Sequence, residues 1–301
     1  MDNISYSTYK NLIDNHILDF IPEIDHKSIT VYESMKYSLT AGGKRIRPVL
    51  LLAACEFVGG NSADVKGAIT YACALEYIHT YSLIHDDLPA MDDDELRRGV
   101  PTNHVVFGEA MAVLAGDGLL STAFEAMNKD MLLYLDDPVK LKRRIRAIYE
   151  ISKSAGCRGM IAGQVADIEA ENKQCSKEML DYIHLNKTAA LIIGAVRAGA
   201  YLGGANEQQL RDLTGYAENL GLAFQIADDI LDICGDEAEM GKKAHNDQKK
   251  NKSTYPCLYD LEDCKEYLSE LTETAVSFLE SYYDEAEFFT KLAEDMAVRV
   301  K

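Results

Sequence analysis

Apolar residues recur along the chain in steps of three and four. Val65, Ile69, Ala72, Leu75 and Ile78 keep that spacing, with Leu83 five residues further on, which lines one face of a 3.6-residue helix. Asn61 or Ser62 stands where an N-cap belongs, so a helix is predicted from near residue 62. Leu213, Ala217, Leu220, Ala223, Phe224 and Leu231 repeat the pattern. No run of alternating strand period is flanked by hairpin turn pairs, and Asp117-Gly118 falls within a helical pattern. No proline lies between Pro138 and Pro256. A proline costs about 3 kcal/mol inside a helix, so that stretch is open to helices. The pattern predicts an all-α protein.

Breaks fall at Gly42-Gly43, Gly59-Gly60, Pro89, Asp136-Asp137-Pro138, Gly203-Gly204 and Gly235-Asp236. At about 150 residues per domain the length would suggest two domains. No linker-like Pro/Gly/Ser tract divides the chain, so residues 1–301 are read as one domain. The net charge of −18 argues against nucleic acid or an anionic membrane as a partner, since both call for a basic footprint. Seven cysteines, with no CxxC pair, read as reduced and mostly buried thiols rather than as a disulfide framework or zinc site. The stretch Met1-Asp2-Asn3-Ile4-Ser5 lacks a basic region followed by an apolar core, and no apolar run approaches the roughly 18–20 residues of a membrane span. Without such signals a cytoplasmic location is expected.

Two acidic clusters carry the candidate chemistry. Asp86, Asp87, Asp92, Asp93, Asp94 and Glu95 crowd residues 86–95. The helix that begins near 62 runs straight into them, and Pro89 should end it there. Asp86 and Asp87 would then sit at the negative end of a helix dipole, an unfavourable place that a cation would relieve. In the second cluster, Asp228 and Asp232 are four apart, with Gln225 on the same side. Like charges at that spacing cost roughly 0.2–0.5 kcal/mol on an exposed helix, and more beside apolar Phe224 and Leu231. Two Asp clusters in place of His or Cys ligands suit Mg²⁺, which is usually held by one or two carboxylates together with substrate phosphates. His79 and His85 are not at HExxH spacing.

Basic residues accompany both clusters. Gly42-Gly43-Lys44-Arg45-Ile46-Arg47-Pro48 places three cations before an apolar helix, Val49 to Phe57, a natural phosphate site although not a P-loop. Arg97-Arg98 follows the first acidic cluster. Lys187-Thr188 opens an Ala/Gly-rich helical stretch, and Lys242, Lys243, Lys249, Lys250 and Lys252 follow the second cluster. The pairing of both signs points to a ligand with several phosphates.

These residues resemble the trans-isoprenyl diphosphate synthases, especially the bacterial-type farnesyl diphosphate synthases. The match rests on the segment 41–48, on Tyr77 through Asp92, on Leu96-Arg97-Arg98-Gly99, on Gly221 through Asp232 and on Lys252 through Pro256. The resemblance implies a bundle of long helices around a central cavity, a homodimer, and head-to-tail joining of isopentenyl diphosphate to an allylic diphosphate. It implies about three Mg²⁺ per site, with Mn²⁺ as the alternative, shared between carboxylates and substrate phosphates. Asp86 and Asp92, with Asp87 assisting, would hold metal on one side, and Asp228, with Asp229 and Asp232 behind it, on the other. Arg97, Lys187, Gln225, Lys242 and Lys252 would hold the allylic diphosphate. Lys44, Arg47, His79 and Arg98 would hold isopentenyl diphosphate. Thr188 and Gln225 would face the carbocation, with Lys187 beside them. Tyr81, five residues before Asp86 and thus about 7.5 Å along the helix, would floor the cavity at a fifteen-carbon product. The Asp-Asp-x-x-x-x-Asp spacing goes with the same product.

Departures from the family pattern are Lys243 and His245, where Pro and a later Gly are usual, and Ala189 in place of a common Gly. Geranylgeranyl and geranyl diphosphate synthases are the alternative products. A terpene cyclase is disfavoured by the intact Asp228-Asp229-x-x-Asp232 motif and by Lys44, Arg47, His79 and Arg98. A regulatory subunit of a heteromeric synthase would usually lack one Asp motif.

Overall fold

The structure is a computed structural model that describes residues 5–23, 25–171, 173, 175–234 and 254–298. In chain order its helices are α1 (Tyr6–His16), α2 (Ile29–Thr40), α3 (Ile46–Phe57), α4 (Ser62–Asp86), α5 (Asn103–Phe107), α6 (Glu109–Leu132), α7 (Pro138–Ala155) and α8 (Met160–Ala170). They continue as α9 (Lys177–Ile183), a π-helical turn (His184–Ala189), α10 (Ala190–Gly203), α11 (Glu207–Cys234), α12 (Tyr255–Leu258), α13 (Leu261–Ser277) and α14 (Glu287–Val298). The all-α expectation holds, with one addition. Leu96–Arg97 and Val100–Pro101 form a two-residue antiparallel ladder, β1 and β2. Arg98 and Gly99 between them have φ of 54° and 78°, the positive pair that a tight hairpin turn requires. A ladder that short has no periodicity to read.

The predicted start of α4 is a capping box. The Asn61 side chain accepts from the N–H groups of Ala63 and Asp64, and the Asp64 carboxylate accepts from the Asn61 N–H. Such a cap holds two N–H groups that a helix end otherwise leaves without partners. α4 then runs to Asp86 and stops three residues before Pro89. It packs between α3 and α6, while α10 packs on α3, α7 and α11. α6 is, among the described residues, the one helix long and apolar enough to cross a membrane. Its inner face (Ala112, Ala115, Leu119, Ala123 and Met127) is buried against the bundle.

α11 joins two apolar clusters. Its first half supplies Leu213, Tyr216, Ala217 and Leu220 to the main core. Its second half supplies Leu222, Ala223, Ile226, Ala227 and Ile230 to a smaller core under α9, α12 and α13. The second Asp cluster therefore rides on a helix clamped along its length. The six cysteines with described side chains are free, and four of them are buried. Burial pushes the Cys55 thiol up to about 12, which keeps it a thiol.

The segment 42–47 is tied down from beneath. Arg45, left-handed at φ 58°, is buried in the bundle. Its guanidinium meets Glu76 at 2.7 Å and Asp14 at 3.0 Å, with the Arg45 and Glu76 side chains each 2% exposed. A third bond runs to the Leu39 carbonyl at 2.6 Å. Removing one member of a buried pair strands the other charge. Glu76→Ala is therefore expected to lower stability by about 3–5 kcal/mol in urea unfolding, and Arg45→Met combined with Glu76→Leu to recover much of that loss.

Candidate active site

The C-terminus of α4 builds the first wall. Beyond Asp86 the chain folds back on itself, and the Asp92 N–H donates to the Asp86 carbonyl at 2.8 Å. Residues six apart in sequence thus become neighbours. Pro89, which has no N–H, stops the helix and opens this turn. Asp87 is buried, and both of its oxygens accept from Arg97 Nε, at 2.7 and 2.9 Å. A further contact from Arg97 Nη2 measures 2.6 Å. Asp87 thus holds Arg97, while Asp86 lines the cleft with the half-buried Asp92 next to it. Asp86 also accepts from Gln164 on α8 at 2.9 Å.

The second wall comes from α11. Asp228 is half-buried, and its charge acts on Arg47, which lines the same cleft as Asp86. Asp229 and Asp232 are buried behind it. Asp229 accepts from Gln225 at 2.9 Å and from the Tyr255 N–H at 3.1 Å, and it lies 3.2 Å from His184 Nε2. Thr188, on the π turn, donates to Gln225 Oε1 at 2.8 Å. Lys187 beside it pairs with Asp167 of α8 at 2.7 Å.

The π turn fits only because glycines flank it. A Cβ on Gly163 would stand 2.0 Å from the Lys187 nitrogen, and one on Gly221 would stand 2.5 Å from Ala189 Cβ. The extra methyl of Ala189 is thus accommodated by a glycine opposite.

Cations crowd a third corner. Arg47 Nη1 lies 3.4 Å from His79 Nε2, and the buried Arg47 Nε has no hydrogen-bond partner. Burial, and next to it the charge of Arg98, hold the Arg47 guanidinium below its usual range. Burial likewise lowers Arg98. The Arg98 guanidinium lies across Gly43, where a Cβ would sit 2.7 Å from Cζ, and it donates to the Gly42 carbonyl. Lys44 is exposed on that loop, its carbonyl held by the Tyr6 hydroxyl. The partly desolvated guanidinium groups of Arg47 and Arg98 are the electrostatic complement of a diphosphate.

A cavity of about 320 Å³ lies between the end of α4, α8 and the π turn, a size usual for small-molecule sites. Its polar lining includes Arg47, His79, Asp86, Gln164, Lys187 and Thr188, and its apolar lining includes Tyr81, Met160, Ile161, Val165, Ile168 and Leu191. Tyr81 is buried and meets His85 edge to face at 5.7 Å. The sequence reading had missed Gln164, Asp167 and His184. Gln164 and Asp167 stand three apart, one helical turn, in Gly163-Gln164-Val165-Ala166-Asp167, a signal too slight without the partners they meet. Lys242 and Lys252 lie outside the described residues, as do Lys243 and His245.

Among the described residues no three His, Cys, Asp or Glu side chains converge into a metal cage. The donor set consists of hard carboxylate oxygens on two walls. That set fits Mg²⁺, which completes its shell with phosphates and water rather than with protein ligands alone.

The chain belongs to the polyprenyl synthetase family, which it matches over residues 29–286. It is 51% identical over 243 residues to a farnesyl diphosphate synthase of Geobacillus stearothermophilus, covering 81% of this chain and 80% of that one. It is 47% identical over 278 residues to a chloroplastic geranylgeranyl pyrophosphate synthase of Capsicum annuum, covering 92% and 73%. Among solved structures, a geranyltransferase of Helicobacter pylori, complexed with magnesium and isoprenyl diphosphate, superposes with a TM-score of 0.84 at 29% identity, covering 97% and 94%.

The buried cations also set a pH response. Burial first, then the charges of Arg47, Arg98, Arg97 and Arg45, hold the His79 imidazole well below its usual range. An unfolded histidine takes up a proton near pH 6.5, whereas this one stays neutral. Its contribution to stability is therefore at full value above that pH and falls as the pH drops below it. The His79 ring signals of the ligand-free protein are expected not to titrate between about pH 8 and 6 in an NMR series, and an imidazolium signature in that window would contradict the assignment.

Proposed function

We propose that this chain is a prenyltransferase that condenses isopentenyl diphosphate with dimethylallyl and then geranyl diphosphate to give farnesyl diphosphate. The observation that carries the reading is one cleft with three kinds of wall. Asp86 supplies a carboxylate, with Asp92 joined to it through the backbone and Asp228 near enough for its charge to act on Arg47. The cation Arg47, under the charge of Arg98, stands beside the neutral imidazole of His79. An apolar side includes the buried ring of Tyr81.

The chemistry follows from the residues. Asp86 and Asp92 on one wall and Asp228 on the other would hold Mg²⁺, which when bound neutralises charge on the leaving diphosphate. Lys187 exchanges its contact with Asp167 for the allylic diphosphate, and Arg97, kept in place by Asp87, adds a second fixed positive charge. Fixed cations aimed at a departing anion stabilise the transition state more than the ground state. Arg47, His79, Arg98 and Lys44 hold isopentenyl diphosphate, with His79 serving as a neutral donor. The allylic C–O bond breaks, and the electron pair leaves with the diphosphate. Oxygen lone pairs of Thr188 and Gln225 face the remaining cation without attacking it. The double bond of isopentenyl diphosphate supplies the new C–C bond, and one proton is lost. Two such rounds convert a five-carbon primer into a fifteen-carbon product.

Tyr81 is proposed as the stop, because a buried aromatic ring on the cavity wall leaves a longer chain no room. The protein is further proposed to work in the cytoplasm as a homodimer. The exposed apolar residues Val105, Val106, Val113 and Leu114 on α5 and α6 support a protein partner on that face.

Product analysis tests the reading. With Mg²⁺, labelled isopentenyl diphosphate and five- or ten-carbon primers, the expected product has fifteen carbons, and the fifteen-carbon primer is inert. A twenty-carbon product from the native chain would keep the class and remove Tyr81 as the stop. No incorporation would move weight to a regulatory subunit. Tyr81→Ala is expected to extend the product. Chelation of the metal should abolish turnover and added Mg²⁺ restore it, and Asp86→Asn or Asp228→Asn should each lower kcat by about 10²–10³-fold.

A further inference from the structure

The buried His184 is used by no step above. It lies outside the cavity lining, on the first residue of the π turn, 6% exposed. Its ring stacks on Tyr255 at 5.4 Å with an interplanar angle of 22°. Its Nε2 lies 3.2 Å from Asp229 Oδ2, and Asp229 is itself 2% exposed. A buried polar contact of this kind, held on two sides, fixes geometry rather than making contact with a ligand.

We infer that His184 and Asp229 are a positioning pair that sets the direction of the Gln225 amide and, through it, of the Thr188 hydroxyl. The inference rests on the prenyltransferase reading for what Thr188 and Gln225 face. An ionised carboxylate only accepts hydrogen bonds. Asp229 Oδ1 therefore takes the Gln225 NH₂ at 2.9 Å, and the Gln225 carbonyl oxygen must point the other way. There it accepts the Thr188 hydroxyl at 2.8 Å. A hydroxyl has one proton to give, and with that proton directed to Gln225, only lone pairs remain for the cavity that Thr188 lines. If the amide were reversed, its NH₂ would meet Thr188, and the hydroxyl proton would turn towards the cavity and a developing cation.

Asp229 is held against such reversal by donors from two further elements. His184 contributes from the π turn, and the Tyr255 N–H contributes from α12 at 3.1 Å. With His184 and Tyr255 both on Oδ2 and Gln225 on Oδ1, Asp229 is committed to the protein side. That separates it in role from Asp228, its neighbour in the motif.

The test compares His184→Phe with His184→Gln. Phenylalanine keeps the ring against Tyr255 and removes the donor, while glutamine keeps an N–H. His184→Phe is expected to lower kcat by about tenfold with KM for both diphosphates within about twofold, and His184→Gln to recover most of the loss. Affinity for an ammonium analogue of the allylic cation, measured with Mg²⁺ and inorganic diphosphate, should fall by the same factor as kcat. Asp229→Asn carries the same comparison if His184→Phe does not fold. Unchanged kcat, a rise in KM alone, or undiminished affinity for the ammonium analogue would overturn the inference. Analogue binding needs no turnover, so it judges His184 separately from the activity of the native chain.

Discussion

The mouth of the cleft depends on how α4 tolerates carboxylates at its C-terminus. A helix end presents unpaired carbonyls and partial negative charge, and Asp86 and Asp87 add to both. The structure meets this with Arg97, whose guanidinium takes both oxygens of Asp87. Arg97 can reach because the Arg98-Gly99 turn doubles the chain back just beyond it. With Asp87 paired to Arg97, Asp86 lines the cleft and Asp92 is joined to it through the backbone bond between them. One ion pair thus sorts three neighbouring carboxylates into a buried anchor, Asp87, and two less buried groups, Asp86 and Asp92.

The same sorting occurs among the cations of segment 44–47. Lys44, Arg45 and Arg47 look alike in the sequence, yet the left-handed turn at Arg45 sends that side chain into the bundle against Glu76 and Asp14. Arg47, the second residue of α3, lines the cleft instead and meets His79. The burial of Arg45 anchors the loop, and Gly43 before it allows Arg98 to lie across the backbone. A loop held so firmly can keep under-paired guanidinium groups close together, which an unanchored loop would relax by moving apart.

On the far wall, the π turn from His184 to Ala189 places Lys187 and Thr188 beside Gln225. Turns of this kind are scarce and concentrate at functional sites. Here the flanking glycines, Gly163 and Gly221, let α8 and α11 approach its backbone closely enough to lock it. The clamped second half of α11 then keeps Asp228, Asp229 and Gln225 in register with that turn.

Periodicity alone determined that the chain is helical, and the Asn61 cap and Pro89 determined where α4 begins and ends, because these are local effects of backbone geometry. The chemistry at stake was also legible, since two Asp clusters with basic neighbours imply a metal and a phosphate-bearing ligand wherever the chain folds. Only the tertiary structure decided which members of each cluster face the cleft. Asp87 against Asp86, Arg45 against Arg47, and Asp229 against Asp228 are adjacent or near-adjacent residues of like charge. Their fates differ through partners that arrive from distant parts of the chain: Glu76 and Asp14 for Arg45, His184 and Tyr255 for Asp229, and Gln164 for Asp86. The hairpin at Arg98, the π turn and the roles of Gln164, Asp167 and His184 were illegible for the same reason. Each is stabilised by a contact between elements, and a contact between elements leaves no periodic trace in the sequence of either one.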